Sequence, residues 1–436
     1  MTDLYKKYCE CGYRVTTDSR AIEGGEIFFA LKGENFDGNA YAGAALDKGA
    51  RWAVVNASAG LPDDERFIKV EDSFKTLQEL AIWHRNHVKA PGHLPVVGLT
   101  GTNGKTTTKE LIAAVLSRKF KVLATQGNFN NDIGVPLTLL KITPETQIAV
   151  VEMGANHPDD IAKLVKVSQP DYGLITNVGT AHLLGFGSFD GVKRAKGELY
   201  KWLASREGSV VFLNNDDENL RAMARDWASC HIWPYGIDYQ GVELLPVTAE
   251  HPFLRLRLRS GRTVETHLVG TYNAANVLAA LAVGEYFGVS EDDAAEAVSG
   301  YLPSNNRSQL RKTGRNTVIV DAYNANPSSM SAALDNFAVM ASERKLALLG
   351  DMRELGEESV SEHERIVSKL CALGIDAMLV GEEFGKALDR LGKSRDRWFA
   401  TSADLCSYLK ENEVSSTMLL VKGSHSIQME TTLEFL

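Results

Sequence analysis

Short apolar runs alternate with polar and amphipathic stretches along the chain, and the rhythm changes near residue 92. Before that point, 26–31 and 51–55 read as strands set among turns, and 74–88 as a helix. Lys89-Ala90-Pro91-Gly92-His93 carries the breakers of a linker. From 93 to 312, strands are expected at 95–100, 121–125, 147–153, 171–178 and 208–213. Helices are expected between them at 105–118, 158–168 and 190–204. Such alternation argues for a parallel sheet covered by helices. From 313 to 436 the rhythm repeats, with strands at 316–321, 344–350, 376–380 and 417–422. Helices near 328–341, 359–373 and 402–412 then predict a second, smaller doubly wound unit. The expected fold class is α/β in three domains, 1–92, 93–312 and 313–436.

Composition agrees with this division. At about 150 residues per domain, 436 residues suit three domains. With 44% hydrophobic and 24% charged residues, the chain can bury large cores without staples. A formal net charge of -9 and the lack of a dense Lys/Arg run argue against a nucleic-acid binder. An anionic substrate needs only a local positive site. The cysteines, Cys9, Cys11, Cys230, Cys371 and Cys406, are odd in number and scattered, so no disulfide framework is expected. Cys9 and Cys11 lack the second ligand pair of a zinc site. No signal stretch and no run of about 18 apolar residues appears, which makes the cytoplasm the expected compartment.

The strongest chemical signal is VVGLTGTNGKTTTKE, residues 96–110. An apolar strand, a glycine-rich turn and a helix start together form a nest of backbone N–H groups for phosphate. Lys105 would reach the outer phosphates, and the Thr106 hydroxyl would hold Mg²⁺. The general phosphate-loop pattern wants glycine at 99, where this chain has Leu99, with Gly98 and Gly101 beside it. The alternative is a glycine-rich turn without a ligand. Glu152 is the first charge after the apolar run 148–151, at the strand end where such sheets bind ligands. After the next strand comes Asn177-Val178-Gly179-Thr180-Ala181-His182, then a helix with Lys193, Lys196 and Glu198. On sequence pattern alone, a lone histidine such as His182 is more often structural than a ligand, and Lys196 reads as a solvated lysine on a helix face.

These residues resemble the ATP-dependent Mur ligases of peptidoglycan synthesis, and the resemblance spans nearly the whole chain. It implies a small α/β domain for a UDP-linked substrate, a central parallel-sheet ATPase domain and a C-terminal Rossmann-like domain. The stretches 127–136, 321–327 and 349–356 look most like the member that joins D-alanyl-D-alanine to UDP-N-acetylmuramoyl-tripeptide. The resemblance therefore implies amide formation through an acyl phosphate, with ATP and two Mg²⁺ ions. It implies nucleotide contacts from Gly101, Thr102, Asn103, Gly104, Lys105, Thr106 and Thr107. Asn273 and Asn276 would lie at a helix start near the nucleotide. Arg307, Asp321 and Asn324 would close on it, although 304–308 lacks the proline-glycine context often found before that arginine. Thr106, Glu152, His182 and Lys196 would hold metal, and Lys105, His182 and Lys196 would be catalytic. Carbamylation of Lys196, implied by the resemblance alone, would turn a cation into an oxygen donor, which Mg²⁺ prefers. Ser19 and Arg20 would meet the UDP end of the substrate. Asn131, Asn326, Lys422 and Ser424 would meet its peptide or the acceptor. Neither nucleic acid nor membrane insertion is implied, and nothing demands more than a monomer.

Three rival readings remain at this point. A sibling Mur-type or folylpolyglutamate-type ligase would share the chemistry, but the 321–327 stretch argues against both. A P-loop GTPase would carry Asn-Lys-x-Asp, which is absent. A nucleotide sensor with a decayed site would not keep Lys105, Thr106, Glu152, His182 and Lys196 together.

Overall fold

The computed structural model describes residues 1–34, 36–89, 92–180, 183–227, 229–248, 251–304 and 306–436. The first sheet has four parallel strands in sequential order, Val15–Thr16, Ile27–Phe29, Trp52–Asn56 and Phe67–Val70. Helix Ser73–His87 follows, started by Asp72, whose carboxylate accepts from the backbone N–H of Phe74 and Lys75. Its buried Leu77 and Leu80 join one apolar cluster with Ile27 and Phe29 of the first sheet. The same cluster holds Leu139 and Leu164 of the central unit.

The central sheet has six parallel strands, Val96–Thr100, Val122–Ala124, Ile148–Glu152, Tyr172–Ile175, Val210–Asn214 and His231–Tyr235. Val96–Thr100 lies inside the sheet, between Ile148–Glu152 and Tyr172–Ile175. Both Val96–Thr100 and Ile148–Glu152 are buried at every position, as strands covered on two faces must be. The sixth strand was not expected. It contains Pro234, which a sheet tolerates at an edge, and His231–Tyr235 is an edge. A three-stranded antiparallel sheet, Glu243–Leu244, Arg255–Arg257 and Thr263–Glu265, was also unexpected. Its signal was the alternation Leu254-Arg255-Leu256-Arg257-Leu258, whose leucines are buried. Helices Ala274–Tyr286 and Glu291–Ser299 complete this part.

The last sheet runs Gln309–Lys312, Thr317–Asp321, Met418–Lys422, Lys345–Gly350, Asp376–Val380, Trp398–Phe399. All its pairings are parallel except the first, an antiparallel hairpin between Gln309–Lys312 and Thr317–Asp321. That hairpin ties residues 309–312 to the last sheet, so a junction at 312 would cut it in two. Helices Pro327–Val339 and Ser359–Leu373 bury Phe337 and Ile366 in one cluster. Helix Ser402–Glu411 buries Leu405 and Leu409 in another, shared with Leu348 and Val421.

Candidate active site

The carboxyl ends of the central and last sheets face a common cleft of about 340 Å³. On the central side, Gly104 takes the left-handed conformation, φ 78°, and starts helix Lys105–Leu116. A Cβ there would lie 2.6 Å from Asn276 Oδ1, so only glycine fits the turn. The neighbouring strand end braces the loop. Asn103 N–H donates to Asn177 Oδ1 at 2.9 Å, and Asn177 Nδ2 donates to Asn103 O at 3.0 Å. Thr176 Oγ1 also donates to Asn103 O, at 2.6 Å. From the far side, Thr108 Oγ1 donates to Asn276 Oδ1 at 3.0 Å, and Asn276 Nδ2 donates to Asn273 Oδ1 at 2.9 Å.

Lys105 folds over the loop, donating to Gly101 O at 2.8 Å and Thr102 O at 3.2 Å. Burial pushes its pKa down; Glu152 opposes this and Arg307 adds to it. Lys196 is buried on helix Phe189–Ala204, and its pKa falls well below the ordinary lysine value through burial and then through Lys105. Lys105 thus lies within electrostatic reach of two further basic side chains, Arg307 and Lys196. That arrangement is stabilised by bound anions.

Glu152 ends its strand beside them. Its Oε1 accepts from Thr106 Oγ1 at 3.3 Å and from Asn130 Nδ2 at 2.8 Å. Its Oε2 is buried with no hydrogen-bond partner among the described residues. A buried orphan carboxylate oxygen next to a threonine hydroxyl fits a hard cation such as Mg²⁺. Among the described residues there is no cluster of three His, Cys, Asp or Glu. A cation here would therefore complete its shell with water and phosphate oxygens, as Mg²⁺ does in phosphate sites.

The last sheet contributes side chains from separate loops. Lys422 is buried and donates to Asp321 Oδ2 at 2.6 Å and to Asn324 O at 3.2 Å. Asn326 caps helix Pro327–Val339 in a capping box with Ser329. Its Nδ2 also reaches across the cleft to Asn103 Oδ1 at 2.8 Å. Thr180 and Ser328 hydroxyls make a second crossing at 3.2 Å.

Three family models match successive parts of the chain. The Mur ligase family, catalytic domain, matches residues 13–85. The Mur ligase middle domain matches 99–284, and the Mur ligase, glutamate ligase domain, matches 306–425. The UDP-N-acetylmuramoyl-tripeptide--D-alanyl-D-alanine ligase of Escherichia coli (strain K12) is 36% identical over 433 residues, covering 97% of this chain and 93% of its own. The chain belongs to the Mur ligase family. Crystal structure I of MurF from Acinetobacter baumannii superposes with a TM-score of 0.84 at 33% identity, covering 97% of this chain and 92% of that one. MurF ligase from Thermotoga maritima, solved in complex with ADP, gives 0.83 at 27% identity, covering 97% and 96%.

Placed on this Mur ligase, most of the expected site residues gather at the cleft, and Lys196 lies buried on the helix beside it. Thr102 through Thr107, Glu152, Asn273, Asn276, Arg307, Asp321, Asn324, Asn326 and Lys422 line the cleft. Gly101 lies beneath it and offers its carbonyl to Lys105. Asn131 lines an adjoining cavity of about 270 Å³ that shares Asn130 and Asn156 with the cleft. Ser19 and Arg20 lie elsewhere, in a short turn of the first domain, with Arg20 exposed and paired to Asp18 at 2.8 Å. Ser424 is not brought to the cleft. It is buried, accepting from Arg353 N–H at 2.9 Å and donating to Ala325 O at 3.4 Å, so it fastens loops together. His182 lies outside the described residues. Asn130, Asn177, Tyr272, Tyr323 and Ser328 line the cleft without having been expected there. Asn177 and Tyr323 each closely follow an apolar strand, which is the signal that could have found them.

Proposed function

We propose that this Mur ligase joins D-alanyl-D-alanine to UDP-N-acetylmuramoyl-tripeptide with ATP, forming the pentapeptide precursor of peptidoglycan. The names of the relatives above support the substrates. The observation that carries the reaction class is the convergence of Lys105 and Arg307 on a phosphate loop in one cleft, with Lys196 buried on a neighbouring helix within electrostatic reach of Lys105.

A carboxylate is a poor electrophile, and its approach to a triphosphate is repulsive. Lys105 and Arg307 offset that repulsion and hold the two anions in line, which is most of what phosphoryl transfer requires. The γ-phosphoryl group passes to the terminal carboxylate of the tripeptide, giving an acyl phosphate and ADP. The dipeptide amine then attacks the acyl carbon, and the tetrahedral intermediate expels phosphate to leave the amide. Thr106 and Glu152 would hold Mg²⁺, with Lys196 as its carbamate and His182 serving a second ion. Bound there, Mg²⁺ supplies further charge neutralisation. Asn103, Asn177 and Asn276 keep the loop in shape, and the Asn326 and Ser328 contacts close the cleft against water. The first domain would hold the UDP end, the central domain the nucleotide and the last domain the acceptor. In this reading the enzyme works as a cytoplasmic monomer. Among the described residues, no helix is long and apolar enough to cross a membrane.

Phosphate release is the test, with UDP-N-acetylmuramoyl-tripeptide and D-alanyl-D-alanine each added alone and then together to enzyme, ATP and Mg²⁺. Release only with both, alongside a pentapeptide by mass, is expected. No release with both, from protein that binds ATP, sends the substrate assignment to a sibling ligase.

A further inference from the structure

The cleft arginine sits between two residues of unusual backbone. Asn306 and Ser308 both take the left-handed conformation, with φ of 54° and 48°. Asparagine visits that region readily, because its short polar side chain bonds locally. Serine does so far less, and glycine is the residue that occupies it freely. Ser308 is also buried. A buried residue with a side chain stays in this region only when its surroundings hold it there.

The ties come from both sides of the cleft. From the central part, Val269 N–H donates to Ser308 O at 3.4 Å. The Tyr272 hydroxyl shares a hydrogen bond with Ser308 Oγ at 3.2 Å, and Asn273 Nδ2 donates to the same oxygen at 3.5 Å. From the last sheet, Asp321 Oδ1 accepts from Ser308 N–H at 3.3 Å. Ala322 N–H donates to Asn306 O at 3.0 Å. Between these ties Arg307 lines the cleft, its guanidinium carbon 3.6 Å from the Tyr323 ring centroid. Arg307 Nε is buried with no hydrogen-bond partner among the described residues. Strand Gln309–Lys312 begins one residue after Ser308. Rotation about the Ser308 N–Cα bond therefore swings Arg307 relative to the last sheet.

We propose that Ser308 is a positioning residue whose left-handed backbone, tied to both sides of the cleft, aims Arg307 at the phosphates of the bound nucleotide. The inference rests on the reading of the cleft as the ATP site. The backbone is the working part, and the hydroxyl is one of the ties that hold it. Substitution separates the two. Glycine removes the hydroxyl and adopts the left-handed backbone at no steric cost. Threonine keeps the hydroxyl, but its branched Cβ makes a positive φ a genuine outlier.

The test titrates AMP-PNP, a non-hydrolysable ATP, with Mg²⁺ into the full-length enzyme by calorimetry. It compares wild type with Ser308→Gly and Ser308→Thr, each also combined with Arg307→Ala, and follows urea unfolding of all. Ser308→Thr is expected to bind AMP-PNP about tenfold more weakly than Ser308→Gly, the scale of the left-handed cost for a residue with a side chain. In the Arg307→Ala background the two should agree within about twofold, since a residue that acts only through Arg307 has nothing left to move. Ser308→Thr binding as tightly as Ser308→Gly overturns the proposal, and a loss of stability alone in Ser308→Thr would make the strained backbone a purely structural feature. A tenfold difference that persists without Arg307 overturns it as well. If Ser308→Thr does not fold, Ser308→Ala takes its place, because alanine is unbranched yet still resists a positive φ. A wild type that does not bind AMP-PNP sinks the reading of the cleft, and this proposal with it. A wild type that binds it, with no difference between the variants, sinks this proposal alone.

Discussion

The seam between the first and central sheets is a continuous apolar core, whereas the seam between the central and last sheets holds a cleft bridged by hydrogen bonds, with Val247, Phe253 and Val269 packing against the last domain's core beside it. At the first seam, helix Ser73–His87 puts Leu77 and Leu80 into a cluster that runs from Phe29 to Leu164. Buried polar groups fasten the same seam. His84 Nε2 lies 2.7 Å from Ile142 O, Tyr8 donates to Leu140 O, and Arg85 pairs with Asp171 at 3.0 Å. At the second seam, Asn326 meets Asn103 and Ser328 meets Thr180. The clusters of the last domain are separate from the central ones, with Val247, Phe253 and Val269 reaching in from the preceding segment. Separating the first two parts would expose that apolar core to water, at a cost of about 25 cal/mol per Å² of apolar surface. Single hydrogen bonds exchange with water at a net of about 1 kcal/mol each. The second seam can therefore open for substrates and shut over a water-sensitive intermediate.

The largest effect belongs to the charge beneath the second seam. Lys105→Ala should lower the ATP-dependent rate about 10³-fold, the scale for losing one preorganised charge partner. Far-ultraviolet circular dichroism should stay unchanged, because Lys105 bonds only to carbonyls of its own loop.

The first seam is broken by acid rather than by ligand. Burial of His84 holds its pKa down at about 4, against an ordinary 6.5. Its contribution is complete above pH 6.5. Between 6.5 and 4 the unfolded chain takes up the proton and the folded one resists it, so stability falls with pH. The loss should reach about 3 kcal/mol near pH 4. Urea unfolding of wild type and His84→Gln at pH 7 and pH 4 measures it. An equal slope in both proteins would remove His84 from the account.

Asn326→Ala should cost about 1 kcal/mol through the lost helix cap. It should also weaken the closed cleft, raising the KM for ATP; a stability loss with unchanged KM would make Asn326 a cap only. Ser328→Ala should be the mildest change, within about 0.5 kcal/mol in stability. Small-angle scattering should show less compaction on ADP binding in this variant than in wild type. Identical compaction would take the Thr180–Ser328 contact out of the closure.

The legible part of this protein was local. Thr102 to Thr107 sit within one strand–turn–helix segment whose glycine spacing already specifies the backbone path. Glu152 was found because it ends a fully apolar strand. His231–Tyr235 was not found, since a proline hides an edge strand. Ser424, expected to meet the substrate, fastens two loops here, and a polar loop residue looks the same in sequence whether it faces ligand or fastens loops. Tyr323 read as one residue of a family stretch, and nothing local to it shows that Arg307 stacks on its ring.

The sequence by itself determined the α/β class, the phosphate loop and the strand that carries its acid, because backbone geometry and burial are set within a few residues of each. Only the tertiary structure decided which side chains meet across the cleft. It set Asn326 against Asn103, laid Arg307 on Tyr323, and made one seam a shared core and the other a cleft bridged by hydrogen bonds. Those outcomes depend on how two sheets dock, and docking is fixed by packing between segments more than two hundred residues apart, such as Asn103 and Asn326.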